Sequence, residues 1–148
     1  MIKKAQLRRE NFSFIFQSYA LIPHLDATEN AALPIEMGGL SNSLKENIQG
    51  ILDDVGIGEY ADHKPAYLSG GQQQRLGIAR ALANNPSVIF ADEPTGDLDE
   101  KTGRKVMDLL KKYHEETGVT IVLVTHNPKL AAEYATRRIR VEDGQIIA

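Results

Sequence analysis

VIFADEPTGDLD, residues 88–99, is the stretch from which the rest of the chain takes its meaning. Its first four residues are apolar, too few for a helix, and two acids and Pro94 follow at once, which is the pattern of a strand buried on both faces. The carboxyl end of such a strand opens onto the crevice where α/β sheets bind ligands. Asp92 there can reach a hydrated Mg²⁺, and Glu93 can orient and deprotonate a water. A bare Asp-Glu pair after a core strand is as often a solvated acidic turn, so the neighbouring residues have to decide.

Downstream, Asp99 is placed to cap a helix with Val106, Leu109, Leu110 and Tyr113 on one stripe, and Gly118 to end it. VTIVLVT (119–125) returns as a second buried strand, which completes a β-α-β unit and argues for a parallel sheet covered by helices. His126 leaves that strand in the same layer as Asp92 and Glu93; a neutral imidazole there can hydrogen-bond a phosphate or a lytic water. Read in isolation, it starts the turn His126-Asn127-Pro128. Residues 128–134 suggest a short helix, and 137–141 and 145–147 two edge strands around Glu142-Asp143-Gly144.

Upstream stands LSGGQQQR (68–75). Ser69 and Gln72 form an S-x-x-Q capping box, with Leu76, Ala79 and Ala83 on one helical face. Gly70 and Gly71 leave the first helical N–H groups uncovered, so a phosphate can approach the backbone and the positive end of the helix dipole, with the Ser69 hydroxyl as a further donor. A glycine-rich cap on an ordinary helix is the plainer reading. Residues 43–55 carry Leu44, Ile48, Ile51, Leu52 and Val55 at the helical period, with Gly56 placed to close one amphipathic helix in a left-handed conformation. FSFIF (12–16) reads as a short buried strand ending at Gln17, an amide able to reach a metal ion or water. Residues 18–30 are loop-like around Pro23, and residues 1–11 look like an exposed start. The fold class is therefore α/β, with 1–23 and 87–148 forming the sheet part and 24–86 a mainly helical insert.

The bulk numbers exclude several classes. The 148 residues carry 17 Lys+Arg against 20 Asp+Glu, a formal charge of -3, so nothing points to nucleic acid or anionic lipid as a partner. There is no cysteine, hence no disulfide and no thiolate chemistry. No apolar run approaches the ~20 residues of a membrane-spanning helix.

In this order the motifs closely resemble those of the ATP-binding-cassette family. FQSYALIPHLDATEN is similar to its glutamine loop, LSGGQQQR to its signature, VIFADE to its acidic strand, TGDLD to its D-loop and VTH to its switch histidine. The wording of the first and of DEPTGDLD resembles the subgroup that drives lipoprotein release, macrolide or peptide export and cell-division complexes. The resemblance implies a partial P-loop NTPase core with a helical subdomain, and ATP and Mg²⁺ as cofactors. It implies that Glu93, His126 and Gln17 are catalytic, that Asp92 and Gln17 hold the metal, and that these act on nucleotide in their own subunit. It assigns Ser69, Gly70, Gly71 and Gln72 to nucleotide held by a second ATPase subunit, with Asp99 coupling the two sites across the dimer. Transmembrane transporter subunits would be further partners, at the cytoplasmic face of the cell membrane.

One part of the pattern is missing. Family members open with a strand and a G-x-x-x-x-G-K-[ST] loop that cradles the phosphates, and no Gly-Lys-Ser or Gly-Lys-Thr occurs here. The chain is thus expected to be a single incomplete ATPase domain, deficient in nucleotide binding on its own and lacking the phosphate-loop strand and its N-terminal neighbours. The favoured expectation is the larger part of an export ATPase. A non-catalytic subunit lending its signature to an intact partner is the alternative, and a DNA-repair or chromosome-structure ATPase is disfavoured by the short insert. The strands left without neighbours are expected to expose an apolar flank and to promote association, domain exchange or a rearranged core.

Overall fold

The computed structural model describes residues 2–147. Its centre is three parallel strands, β1 (Phe12–Ile15), β2 (Val88–Asp92) and β3 (Thr120–Val124), in the order β1-β2-β3. Ile15 pairs with Ala91, and Asp92 with Val124, so the three carboxyl ends lie side by side. Most of their residues are β-branched or aromatic, the types that suit a pleated surface.

The strands are buried on one face only, which corrects the expectation of two-sided burial. Ser13, Ile15, Ile89 and Ala91 point into the core, while Phe14, Phe16, Val122 and Val124 are exposed. On the open face Phe14 stacks on Phe90 with ring centroids 5.2 Å apart. The side-chain period of two divides the residues between the faces, and among the described residues only one face is covered.

Between β1 and β2 the chain is helical. α1 (Ile2–Asn11) precedes β1 as a polar, exposed helix, where the sequence suggests only an exposed start. α2 (Ala27–Gly38) begins inside the segment read as loop: Asp26 caps it, and Glu29 completes the box by accepting from the Asp26 N–H. Pro34 lies within α2, where its missing N–H would otherwise bond Asn30 O, one ladder bond given up without ending the helix. Buried Asn30 accepts from Ile22 N and donates to the carbonyls of Ile22, Leu25 and Asp26, tying the preceding loop to α2.

The single helix expected over 43–55 is two, α3 (Asn42–Glu46) and α4 (Ile48–Asp54), broken at Asn47 with ψ 0°. Gly56 ends the second in the left-handed region, as expected. α5 (Gly70–Leu82) packs on β1 and α2 with Leu76, Ile78 and Ala79 fully buried. α6 (Glu100–Thr117) joins β2 to β3, capped by Asp99 and closed by Gly118. α7 (Pro128–Tyr134) follows β3 with Asn127 as its cap. β4 (Arg140–Glu142) and β5 (Gln145–Ile147) form an antiparallel hairpin of their own and are not edges of the parallel sheet. Its turn has Asp143 at φ 48° and Gly144 at φ 76°, the Asp-Gly pair that a tight hairpin favours.

Candidate functional site

β2 ends on exposed Asp92, and the next residue, Glu93, sits at φ 44°, a strained position for a side chain with a Cβ. The surroundings hold it there. Glu93 N–H donates to Val124 O at 2.9 Å, and Gly96 N–H donates to Glu93 O at 3.0 Å. The Glu93 carboxylate is fixed from the β3 side: Oε1 accepts both the backbone N–H and Nδ1–H of His126, each at 2.7 Å. Glu93 Oε2 has no partner among the described residues, so one oxygen remains for a water proton.

This pairing also sets the imidazole's chemistry. With the Nδ1 proton donated to Glu93, Nε2 of a neutral ring is an acceptor and faces solvent, the side chain being 84% exposed. It can accept from a water as it stands; donation to a phosphate oxygen requires the imidazolium or a break with Glu93.

Gln17 lies two residues beyond β1, next to the end of β2. Its Nε2 donates to Asp97 Oδ1 at 3.1 Å, which turns the carbonyl oxygen loose for another partner. A Cβ at position 96 would stand 2.6 Å from that nitrogen, so Gly96 is what lets the amide lie across the turn. Gln17 and Asp92 supply hard oxygens from adjacent strand ends, a donor set that suits Mg²⁺ with water and phosphate completing the shell. No group of three or more His, Cys, Asp or Glu among the described residues could hold a metal by itself.

The LSGGQ segment faces a different cleft. Ser69 Oγ accepts from Gln72 N at 3.2 Å, and Gln72 Oε1 accepts from Ser69 N at 2.8 Å, so the Gln72 side chain is committed to the cap. The N–H groups of Gly70 and Gly71 have no acceptor among the described residues. A Cβ at Gly71 would lie 2.5 Å from Thr102 Cγ2, so the close approach of α5 to α6 requires glycine there. Ser69, Gly70, Gly71 and Lys105 line this cleft; Glu93, Gly96, His126 and Lys129 line the other, with Leu98 and Asp99 forming the wall between. Asp99 accepts from Thr102 N at 3.0 Å and Thr102 Oγ1 at 2.6 Å, bonds that hold its carboxyl below the usual range.

The structure thus brings Gln17, Asp92, Glu93 and His126 to the carboxyl end of the sheet and sets Ser69, Gly70, Gly71 and Gln72 apart from them. Sequence reasoning passed over three residues that support this layout. Asp97 holds Gln17; fully buried Gln74 donates to Pro94 O at 2.5 Å; Arg80 donates to the carbonyls of Tyr19 and Ala20. Arg80 interrupts the otherwise small or apolar run from Leu76 to Leu82, the one signal that could have found it; Gln74 stands within the polar run Gln72 to Arg75, which gives none.

The sequence profile of the ABC transporter family matches residues 2–96. The chain belongs to the ABC transporter family. The macrolide export ATP-binding/permease protein MacB of Syntrophobacter fumaroxidans is 46% identical over 147 residues, 97% of this chain and 20% of that protein. The uncharacterized ABC transporter ATP-binding protein YbbA of Escherichia coli K12 is 46% identical, over 97% of this chain and 63% of its own length. Among solved structures, the dimeric post-hydrolysis state of the ATP-binding cassette MJ0796, bound to ADP and Pi, superposes with a TM-score of 0.84 at 44% identity, covering 98% of this chain and 64% of that one. The ABC-family chain therefore spans less than two thirds of each of these relatives.

Proposed function

We propose that this chain is the larger part of the ATP-hydrolysing unit of an export-type ABC transporter, and that by itself it holds nucleotide poorly. One observation carries the reading: Gln17, Asp92, Glu93 and His126 converge at the strand ends, while Ser69, Gly70 and Gly71 face a separate cleft across the wall of Leu98 and Asp99. A site split in this way serves two nucleotides, one on each side of the wall.

At the strand ends Asp92 and the Gln17 carbonyl would hold Mg²⁺, whose charge would offset that of the phosphates. Glu93 Oε2 takes the proton of a water, while the two bonds from His126 keep its other oxygen from turning away. In the second cleft, the Gly70 and Gly71 N–H groups and the Ser69 hydroxyl donate to a phosphate presented by a partner subunit, reinforced by the dipole of α5. Residues 24–86 are the helical part that carries this surface, and 1–23 with 87–148 the sheet part. Membrane-spanning transporter subunits on the cytoplasmic side are the matching partners; no helix of the described residues is long and apolar enough to cross a membrane.

The deficiency follows from the absent Gly-Lys-Ser/Thr loop, since that loop supplies both the backbone cradle and the lysine charge for the phosphates. Calorimetric titration with ATP, with and without Mg²⁺, is expected to give no binding heat at about millimolar nucleotide; micromolar binding would overturn this part. The second cleft is tested by mixing the chain with an intact homologue. A changed ATPase rate that Ser69→Arg abolishes supports the reading, and an unchanged rate counts against it.

A further inference from the structure

The loop after β1 holds Tyr19 at φ 61° and Ala20 at φ 50°, two successive left-handed residues of which neither is glycine. Positions of this kind persist only where the surroundings over-determine them. Local bonds do part of this: Tyr19 N donates to Phe16 O at 3.2 Å and Ala20 N to Ser18 O at 2.7 Å. The rest comes from the middle of α5. Arg80 Nη1 donates to Ala20 O at 2.5 Å and Nη2 to Tyr19 O at 2.8 Å, a planar fork spanning consecutive carbonyls.

Arg80 is half-buried and has no carboxylate partner among the described residues, so its charge is offset by carbonyl dipoles alone. Burial lowers the pKa of the guanidinium accordingly. A charge placed there is an expensive way to fill a helix face, and what it gains is the geometry of the loop. The contact continues along the helix. A Cβ at Gly77 would lie 3.6 Å from Tyr19 O, and one at Gly70 would lie 3.2 Å from Tyr19 Oη. Tyr19 therefore runs along α5 from its centre to its first residue.

We propose that Arg80 is a positioning residue that locks the loop bearing Gln17 onto the middle of α5, and so sets where the Gln17 amide stands. The lock stands on this geometry; its consequence for catalysis rests on the ATP reading above.

The lock can be read without nucleotide, by amide exchange in the full chain. With Arg80→Met the backbone amides of residues 19–21, whose carbonyls at Tyr19 and Ala20 lose the fork, should exchange about tenfold faster or more, and the Gln17 side-chain amide signals should shift, with the interior of α5 unchanged. Arg80→Lys, which keeps charge and length but can serve only one carbonyl well, should fall between, and it decides the matter if Arg80→Met does not fold. Unchanged exchange at residues 19–21 in the Lys variant, or exchange rising equally throughout α5 in either, overturns the lock. Failure of ATP binding bears on the earlier reading and leaves this result untouched.

Discussion

Ile35 of α2, Leu52 of α4 and Leu76 of α5 are 1%, 0% and 0% exposed, whereas Phe14, Val122 and Val124 of the parallel strands are 51%, 43% and 57% exposed. Both groups are large and apolar, and they differ in what lies over them. The helices close on one another and on one face of the sheet, and the other face has no cover among the described residues. Hydrophobic stabilisation follows the area removed from water, at about 25 cal/mol per Å². The helical region and the inner sheet face therefore hold the fold, and the outer face contributes little. The proposed chemistry sits on the rim between them, at the carboxyl ends of the strands.

The sharpest way to break this comparison is to cut one side chain from each region. Leu52→Ala should cost about 2–5 kcal/mol in urea unfolding, since it opens a cavity in a fully packed site. Val124→Ala should stay within about 1 kcal/mol, because its methyl groups already meet water. Equal losses would show that the open face is covered in solution.

The seam between the regions is the next test. Gly71→Ala brings a Cβ to 2.5 Å from Thr102 Cγ2, an overlap expected to cost about 1–3 kcal/mol. Thr102→Ser removes that methyl while keeping the hydroxyl that bonds Asp99. The double variant should recover most of the loss. If it does not, the approach of α5 to α6 is not set by this contact.

The open face itself gives a smaller effect. Phe14→Ser with Phe16→Ser should reduce binding of an apolar fluorescent dye and narrow any concentration-dependent sedimentation, while the unfolding midpoint moves little. A large drop in the midpoint would place these rings in a core rather than on a surface.

What could be read from the sequence was whatever local chemistry decides. The Ser69–Gln72 box, the Asp99 cap and the helix stops at Gly56 and Gly118 depend on neighbours within a few residues, and each is where it was expected. The strand ends placed Asp92, Glu93 and His126 in one layer for the same reason. The Asp26–Glu29 box was equally local but lay in the segment read as loop around Pro23, so the first turn of α2 was missed. Two-sided burial of VIFA, and burial of VTIVLVT, were misjudged because an apolar run reports how much a strand could bury and not what covers it. The Gln17–Asp97 and His126–Glu93 bonds and the Arg80 fork join residues 80, 33 and 60 positions apart, and no periodicity encodes them.

The finest test lies on the wall between the two clefts, in the titration of Asp99. Its two bonds from Thr102 favour the charged carboxylate, so its folded pKa lies below that of the unfolded chain, about 3.9. A carboxyl depressed in this way stabilises the fold above the unfolded value, and the contribution drains away as pH falls through the folded value. Asp99→Asn keeps an oxygen to accept from Thr102 N, and so keeps a cap, but cannot titrate. The unfolding midpoint of the parent chain should therefore fall more steeply than that of the variant as pH drops below about 4, and the two should converge in stronger acid. Parallel curves across that range would mean that the charge of Asp99 contributes nothing to α6. Its oxygens would then be free to turn toward either cleft, and the wall would be a looser divider between the two regions than its hydrogen bonds indicate.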